Sequence, residues 1–446
     1  MSSKRDLVEA HSFNRRRLIT AFTSGAPGGR EVEAPRHGRT LLGGTVLAVL
    51  VIVGAAITGV FKPTVPSGWN ESGLVIGKES GSRFFAQDKT LYPVINTTSA
   101  RLLMSPDDFK VRFVPDDKIA KEQPGPTIGI VGAPDVLPRP DALVQTGWTA
   151  CVDSAGKGRV RVAEDAQVKA VPDQALVAKI SGTTWVVAGN HRFEVAAGSE
   201  DAVLFALGLD SEPARNVGAN LMNLFPEGTK LAPVEVPGQG KPASVDGVPA
   251  EARTVGSLLS VDGKPYVVLE GGVAAITPVE RELLRASVKA VKADPVEVGP
   301  SVLTEAGLVD SPFDHTWPTV LPHGLADTSA CALLGHESDG SLPTVSLAVP
   351  TGDASRPGAQ AATREVETGH GALVRATEGA VMDGGTVFLI DASGKAYALA
   401  DGSSTQWRLG YGKVKPALVP PSWISLFAPG PELSSKQAAL PVGTDG

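Results

Sequence analysis

From Leu41 to Phe61 the chain reads LLGGTVLAVLVIVGAAITGVF, 21 residues without a charged side chain. At about 1.5 Å of rise per residue, a helix of this length covers roughly 32 Å, enough to cross a hydrocarbon core of about 30 Å. Gly43, Gly44, Gly54 and Gly59 would weaken a soluble helix but are common in membrane-spanning ones. A signal peptide has a shorter basic head, a shorter apolar core and a small-x-small cleavage site, and this segment has none of these. No second run of this kind occurs in the 446 residues, so the sequence predicts one transmembrane helix with ends at Leu41 and Phe61.

Charge is distributed unevenly about that helix. Residues 1–40 hold eight Lys/Arg against four acids, whereas the rest of the chain carries 33 basic against 44 acidic side chains. Three basic residues precede the span within 20 positions and two follow it, a bias that puts the N-terminus in the cytoplasm. Residues 62–446 are then expected outside, across the membrane from the head.

The head itself, KRDLVEAHSFNRRRLITAF over residues 4–22, lacks Gly and Pro and predicts a helix that ends before TSGAPGG. Phe13, Arg15, Arg16, Arg17 and Leu18 are the candidate docking residues for a cytosolic partner or for anionic lipid headgroups. The same arginines also fit a basic anchor that only sets topology.

Over the whole chain Gly (50) and Pro (35) are abundant and aromatics make up 5%, which favours many short elements joined by turns. With 42% apolar residues the chain can bury a core, and a net charge of −7 argues against nucleic acid as a partner. Self-comparison shows internal repeats. Leu207-Gly208, Leu224-Phe225, Gly228 and Leu231 recur 202 residues later as Leu409-Gly410, Leu426-Phe427, Gly430 and Leu433. Asp88, Tyr92, Val94 and Ala100 recur 174 residues later as Asp262, Tyr266, Val268 and Ala274. SLLSVDGKPYVVL reads as a two-residue hairpin around Asp262-Gly263, and TVFLIDASGKAYAL as a longer turn with Asp391 and Gly394. Thr277-Pro278-Val279-Glu280 is a capping box opening a helix ERELLRASVKAV.

The expected fold class is α+β and β-rich: one transmembrane helix, then an elongated repeat-containing exterior with quasi-two-fold symmetry around a central domain. The expected divisions are a basic head (1–40), the span (41–61), a first repeat (62–125) and a central domain (126–175 with 310–350). A second repeat (176–245), a third (246–309), a fourth (351–435) and a flexible tail (436–446) complete the chain. Each half of the central domain contains one cysteine, Cys151 and Cys331. Two cysteines exclude a disulfide-framework fold and a four-cysteine zinc site. They are expected to form one disulfide closing a long loop, the alternative being two separate buried thiols.

Catalytic signals are thin. Gly77-Lys78, Gly240-Lys241, Gly263-Lys264 and Gly412-Lys413 are never followed by Ser or Thr, so no G-x-x-x-x-G-K-[ST] phosphate loop exists. There is no G-x-S-x-G, and His191, His315, His323 and His336 lack H-E-x-x-H spacing. Asp107-Asp108 and Asp116-Asp117 lack the alternating ligand spacing of a calcium loop and read as solvated turns. No catalytic, cofactor or metal residues are assigned, and the chain is not read as an enzyme.

Several stretches together resemble EccB, the single-span component of the type VII (ESX) secretion machinery of actinobacteria. They are Arg5-Asp6-Leu7-Val8-Glu9-Ala10 with Phe13-Asn14-Arg15-Arg16-Arg17-Leu18, Thr90-Leu91-Tyr92-Pro93-Val94-Ile95-Asn96 with Thr98-Ser99-Ala100-Arg101-Leu102, and Ile130-Val131-Gly132-Ala133-Pro134-Asp135 with Leu137-Pro138. The family would have Gln at Leu7, Tyr at His11 and Pro at Val131. The resemblance implies a structural subunit of an inner-membrane translocation complex with EccC-, EccD- and EccE-like subunits, self-associating outside the membrane. It also implies repeats like phage cell-wall-binding modules, which leaves a peptidoglycan-binding module as an alternative. A nucleotide hydrolase, proposed for family members, is the remaining one.

Overall fold

The computed structural model describes residues 4–24, 43–53, 65, 67–153, 156–289, 291, 294–313, 316–325, 329–335, 343–351, 364–377 and 384–443. The chain divides into two units, residues 1–67 and 68–446. In the first, Lys4–Ser24 is one helix, as the sequence predicts. Residues 43–53 are also helical, while Leu41, Phe61 and the rest of the apolar run lie outside the described residues. Among the described residues no helix is long and apolar enough to cross a membrane.

The second unit is built of small sheets. The first contains β1 (Ser72–Gly77), β2 (Arg83–Gln87), β3 (Thr90–Pro93), β4 (Val111–Val114) and β5 (Gln123–Pro124) in the order β4-β1-β2-β3-β5. β1 to β3 form an antiparallel meander, and the chain then returns through a helix to add β4 parallel to β1 and β5 parallel to β3. Next come β6 (Trp148–Val152), β7 (Gly158–Val162) and β8 (Val168–Ala170), followed by the meander β9 (Gln174–Ile180), β10 (Thr183–Ala188) and β11 (His191–Glu194). In that meander the returning chain makes isolated parallel bridges, Ala178 to Arg215, Arg192 to Glu227 and Val195 to Leu231.

The five-stranded pattern reappears in β12 (Leu258–Val261), β13 (Lys264–Leu269), β14 (Gly272–Ala275), β15 (Val296–Glu297) and β16 (Leu308–Val309), ordered β15-β12-β13-β14-β16. After β17 (His323–Gly324), β18 (Ala330–Leu334), β19 (Val345–Pro350) and β20 (Arg364–Val366), it appears again as β21 (Ala372–Ala376), β22 (Val387–Ile390), β23 (Lys395–Leu399), β24 (Ala417–Val419) and β25 (Ala428–Pro429), ordered β24-β21-β22-β23-β25. A six-stranded sheet of order β20-β7-β6-β18-β19-β8 stands apart from these.

The expected divisions differ here in three places. β17 pairs with β9 and so joins the second meander, while β20, expected in the fourth repeat, edges the six-stranded sheet. The tail expected to be flexible from 436 instead contains a helix, Ser435–Ala438, capped by Ser434, and Val442 then donates its N–H to the Thr127 carbonyl at 2.8 Å. Backbone pairing with a distant loop holds a segment that composition alone marks as a tail.

The two sequence spacings have different structural meanings. At the 202-residue spacing, Glu200–Ala206 and Ser403–Arg408 are helices that end alike. Gly208 and Gly410 take positive φ, and the next N–H, of Leu209 or Tyr411, reaches back five residues to Leu204 or Gln406 at 2.8 and 2.9 Å. Further on, the helices Ala219–Met222 and Pro421–Ile424 sit at the same spacing. The 174-residue spacing is different. Asp88-Lys89 turns β2 into β3, whereas Asp262-Gly263 turns β12 into β13, so it equates the second hairpin of one sheet with the first of another. All four turn residues have positive φ. A two-residue hairpin demands the same short polar pair between apolar strands wherever it occurs, and that local demand explains the match.

The capping box is present: Thr277 Oγ1 accepts from the Glu280 N–H at 3.2 Å and Glu280 Oε2 accepts from the Thr277 N–H at 2.7 Å. Its helix is shorter than the apolar spacing predicts, spanning Pro278–Arg285. Beyond it, Ser287 donates to Glu235 Oε1 at 3.1 Å and Lys289 pairs with Glu235 at 3.0 Å, which draws the chain out of helical geometry.

The largest core lies on the six-stranded sheet. Trp148 packs edge-on against Phe427 and Trp423 with ring centroids 5.5 and 6.5 Å away, and Leu221, Leu224, Phe225 and Leu426 complete the layer. By contrast, the β12–β16 unit has a core made only of residues from 234 to 313.

Candidate functional site

The second and third stretches that carry the family resemblance lie against each other and form a clasp. Asn96 caps the helix Thr97–Leu102, its Oδ1 accepting from the Ser99 N–H at 2.8 Å and the Ser99 hydroxyl at 2.7 Å. Its Nδ2 donates to the Ile130 carbonyl at 2.8 Å, while Ser99 Oγ accepts from the Ile130 N–H at 2.9 Å. Asn96, Thr98 and Ser99 are buried, so each of these polar groups depends on another. Thr98 donates its hydroxyl to the Pro134 carbonyl. At the rim, Asp135 Oδ1 accepts from the Thr97 N–H at 3.0 Å and from Arg83 at 2.7 Å. Partial burial pushes the Asp135 carboxyl up, but the Thr97 amide and the Arg83 guanidinium outweigh it and hold the carboxyl below its usual range.

The clasp also grips the last sheet. Tyr411 donates its hydroxyl to the Pro138 carbonyl at 2.6 Å, and Arg408 donates to the Leu102 carbonyl at 3.4 Å. Leu102, Ile130, Leu373, Leu389, Tyr397 and Leu433 belong to one buried cluster, so the first and fourth sheet units share a core. Burial raises the Tyr411 hydroxyl far above its ordinary value, and it stays a donor.

A glycine beneath an aromatic ring recurs in three of the units. A Cβ on Gly125, Gly228 or Gly430 would stand 2.4, 2.3 and 2.3 Å from the rings of Tyr92, Phe193 and Tyr397. Each of these glycines donates its N–H to the residue before that aromatic, at 2.9, 2.8 and 2.8 Å. The close approach is what makes glycine necessary at these positions. Tyr397 in turn donates its hydroxyl to Asp391 Oδ2 at 3.0 Å, while Asp391 Oδ1 accepts from the N–H groups of Ser393 and Lys395, both at 3.0 Å. Desolvation, and after it the Asp391 carboxylate, raises the Tyr397 hydroxyl.

Cys151 and Cys331 form the disulfide, across a separation of 180 residues. They stand directly opposite on β6 and β18 with Cα atoms 4.0 Å apart, the close spacing of a cross-strand pair. On its other side Cys151 faces Arg159 of β7. Arg159 pairs with Glu365, which also lies 3.5 Å from Arg161. Burial acts to raise the Glu365 carboxyl, but the two guanidinium groups outweigh it and hold the carboxyl low.

On the head helix, Phe13 is 53% and Leu18 is 61% exposed, and Arg15, Arg16 and Arg17 are also exposed. Successive residues step about 100° around a helix, so the three arginines fan over roughly 200°. They do not form a single basic face. Leu7, Leu18 and Phe22, separated by 11 and 4 residues, form the apolar stripe instead.

Among the described residues no group of three His, Cys, Asp or Glu is placed to hold a metal ion. Asp108 accepts from the Ser105 hydroxyl three residues away and Asp116 from the Ser80 N–H 36 residues earlier, and His323 lies on β17, while His315 and His336 fall outside the described residues. The clasp residues Asn96, Ser99 and Asp135 are not marked by any catalytic pattern. All three lie in the stretches that carry the family resemblance, and Asn96 and Ser99 also stand in an Asn-Thr-Thr-Ser run, which has the spacing of an N-cap with its third-residue amide.

Residues 1–444 match the family described as type VII secretion system ESX-1, transport TM domain B. The ESX-5 secretion system ATPase EccB5 of Mycobacterium tuberculosis is 29% identical over 328 residues, 69% of this chain and 64% of that protein. This chain therefore matches just under two thirds of the ESX-5 relative's length. The ESX-2 secretion system ATPase EccB2 of the same organism is 28% identical over 488 residues, covering 98% of this chain and 94% of that one. Among solved structures, the EccB3 dimer from the ESX-3 core complex superposes with a TM-score of 0.67 at 24% identity, covering 82% of this chain and 99% of that one. A chain of an intact ESX-5 inner membrane complex gives 0.66 at 23% identity, covering 100% and 96%. These two likenesses establish the fold.

Proposed function

This chain belongs to the EccB family, described as type VII secretion system ESX-1, transport TM domain B, and from that premise we propose that it is a non-enzymatic structural subunit of a type VII secretion complex in the inner membrane. The observation that carries the reading is the family match over residues 1–444, which includes both the head and the clasp. In this reading residues 41–61 cross the membrane once, the head lies in the cytoplasm and residues 62–446 lie on the periplasmic side. The partners are EccC-, EccD- and EccE-like subunits and further copies of the chain. An approximate two-fold relation between the second and fourth sheet units belongs to the same reading, and the 202-residue spacing supports it.

The head contributes exposed Leu7, Leu18 and Phe22 as a contact stripe, with Arg15, Arg16 and Arg17 around it. The clasp makes the first and fourth units one block, a suitable rigid element for assembly. Detergent extraction from native membranes, pull-down of the full chain and mass spectrometry of what co-purifies test the proposal. Co-purification of EccC- and EccD-like proteins is the expected result, and a chain recovered alone overturns it. ATPase stands in the names of relatives, and turnover that disappears as the chain is purified excludes it here.

A further inference from the structure

The 202-residue spacing relates two helices that share a scaffold and differ in charge. Phe205, in the helix Glu200–Ala206, and Trp407, in the helix Ser403–Arg408, stand at equivalent positions, and they are 72% and 42% exposed. Behind them the equivalent pairs Val203 and Thr405, Leu207 and Leu409, and Leu209 and Tyr411 are buried. Each helix is rooted in its own core, the first with Phe193 and Leu231, the second with Tyr397 and Leu433. Core packing accounts for the inner faces and leaves both aromatics in solvent.

The surroundings of the two rings are opposite in sign. Residues 200–214 hold Glu200, Asp201, Asp210 and Glu212 and no Lys or Arg. The equivalent residues 402–416 hold Arg408, Lys413 and Lys415 and no acid. Asp201, Asp210, Lys413 and Lys415 are exposed, and none of them forms an ion pair among the described residues. Asp201, Leu204, Phe205 and Asp210 line one open cleft of about 460 Å³. On the other helix Gly412 takes the place of Asp210, and Trp407 lies against it, since a Cβ there would stand 2.8 Å from Trp407 Cδ1.

We propose that these are the two halves of a contact between copies of this chain, the acidic Phe205 face of one copy receiving the basic Trp407 face of another. The proposal rests on the self-association in the reading above and names its surfaces. Charge selects the occupant: two acidic faces repel each other, as do two basic ones, whereas the unlike faces match in sign and each brings one aromatic. Every copy offers one face of each kind. The two rings supply an apolar centre, and the carboxylates and ammonium groups form a polar rim around it. Salt screens such exposed charges beyond about 10 Å at 0.1 M, so the contact weakens as salt rises.

The test uses the purified full chain in detergent. A zero-length carbodiimide cross-linker is applied to an equal mixture of normal and heavy-nitrogen chains, and the joined peptides are mapped by mass spectrometry. Mixed-isotope links from Asp201 or Asp210 to Lys413 or Lys415 are expected, and links between copies that fall only elsewhere overturn the proposal. Charge reversal is the second arm, read as the self-association constant by sedimentation, with near-ultraviolet circular dichroism checking that each variant is folded. Asp201→Lys with Asp210→Lys, or Lys413→Glu with Lys415→Glu, should each weaken association at least tenfold, and an equal mixture of the two variants should restore it. Unchanged association in either folded variant, or no recovery in their mixture, overturns the proposal. A chain that co-purifies with its membrane partners but associates through other surfaces overturns this proposal and leaves the reading above standing. One that is recovered alone and monomeric overturns both.

Discussion

Asn96→Ala should be among the most damaging single changes in the chain, although Asn96 is a small polar residue far from any catalytic pattern. It removes an N-cap, a loss of about 1 kcal/mol. It also leaves the Ile130 carbonyl without its Nδ2 donor and the Ser99 hydroxyl without its Oδ1 acceptor, both in buried surroundings. Each orphaned group costs about 1–2 kcal/mol, so the sum with the cap is about 3–5 kcal/mol. For a chain of this size that corresponds to a fall in Tm of roughly 3–6 °C. Thermal unfolding of the full chain in detergent, followed by near-ultraviolet circular dichroism, reads it directly. Asn96→Ser retains a capping oxygen but cannot reach Ile130, so it should recover about 1 kcal/mol of the loss. In a double-mutant cycle with Ser99→Ala the losses should be non-additive by about 1 kcal/mol or more, because Ser99 Oγ stands between Asn96 and the Ile130 amide. If Asn96→Ala shifts Tm by less than a degree, or the cycle is additive, the clasp is not a coupled network and the reasoning fails.

Gly430→Ala drives a methyl against the Tyr397 ring, so a loss of about 1–3 kcal/mol is expected, together with exposure of the Tyr397 phenol in its ultraviolet absorption. An unchanged spectrum and midpoint would show that the ring has room to move. Asp135 has a carboxyl held low in the folded state, so its contribution is complete above the unfolded pKa of about 3.9 and is lost as pH falls through the lower folded value. Asp135→Asn should therefore flatten the decline in Tm between about pH 4 and pH 2 relative to the parent, and parallel declines would remove Asp135 from the account. Replacing both Cys151 and Cys331 by Ser releases a 180-residue loop, and chain entropy sets a ceiling of about 5 kcal/mol on the loss in urea unfolding. A loss well beyond that ceiling would mean that the bond holds the six-stranded sheet in register.

Elements whose cause is local could be read directly from the residue string. The Asp262-Gly263 hairpin, the Thr277–Glu280 box, the head helix and the glycine that ends each of the two related helices need only neighbouring residues, and all of them occur in the structure. The family could also be read there, because its marks are contiguous stretches. What required the tertiary structure was every relation between distant segments. The 174-residue match had the right turn chemistry and the wrong partner strand, since a two-residue turn has the same composition in any hairpin. The helix after Glu280 stops at Arg285 because Glu235, some fifty residues earlier, holds Ser287 and Lys289. The end of the chain, a tail by composition, is held by the backbone of Thr127. Cys151 and Cys331 were the cysteines available to pair, but that they stand directly opposite each other on β6 and β18 depends on strands 180 residues apart pairing in one sheet. The clasp shows the same division: its residues stand in two short runs, but Asn96 and Ile130 become one site only when the fold brings a cap and a carbonyl within 2.8 Å. Propensity and turn chemistry act over a few residues, whereas burial and hydrogen-bond satisfaction are decided by whatever the rest of the chain brings near.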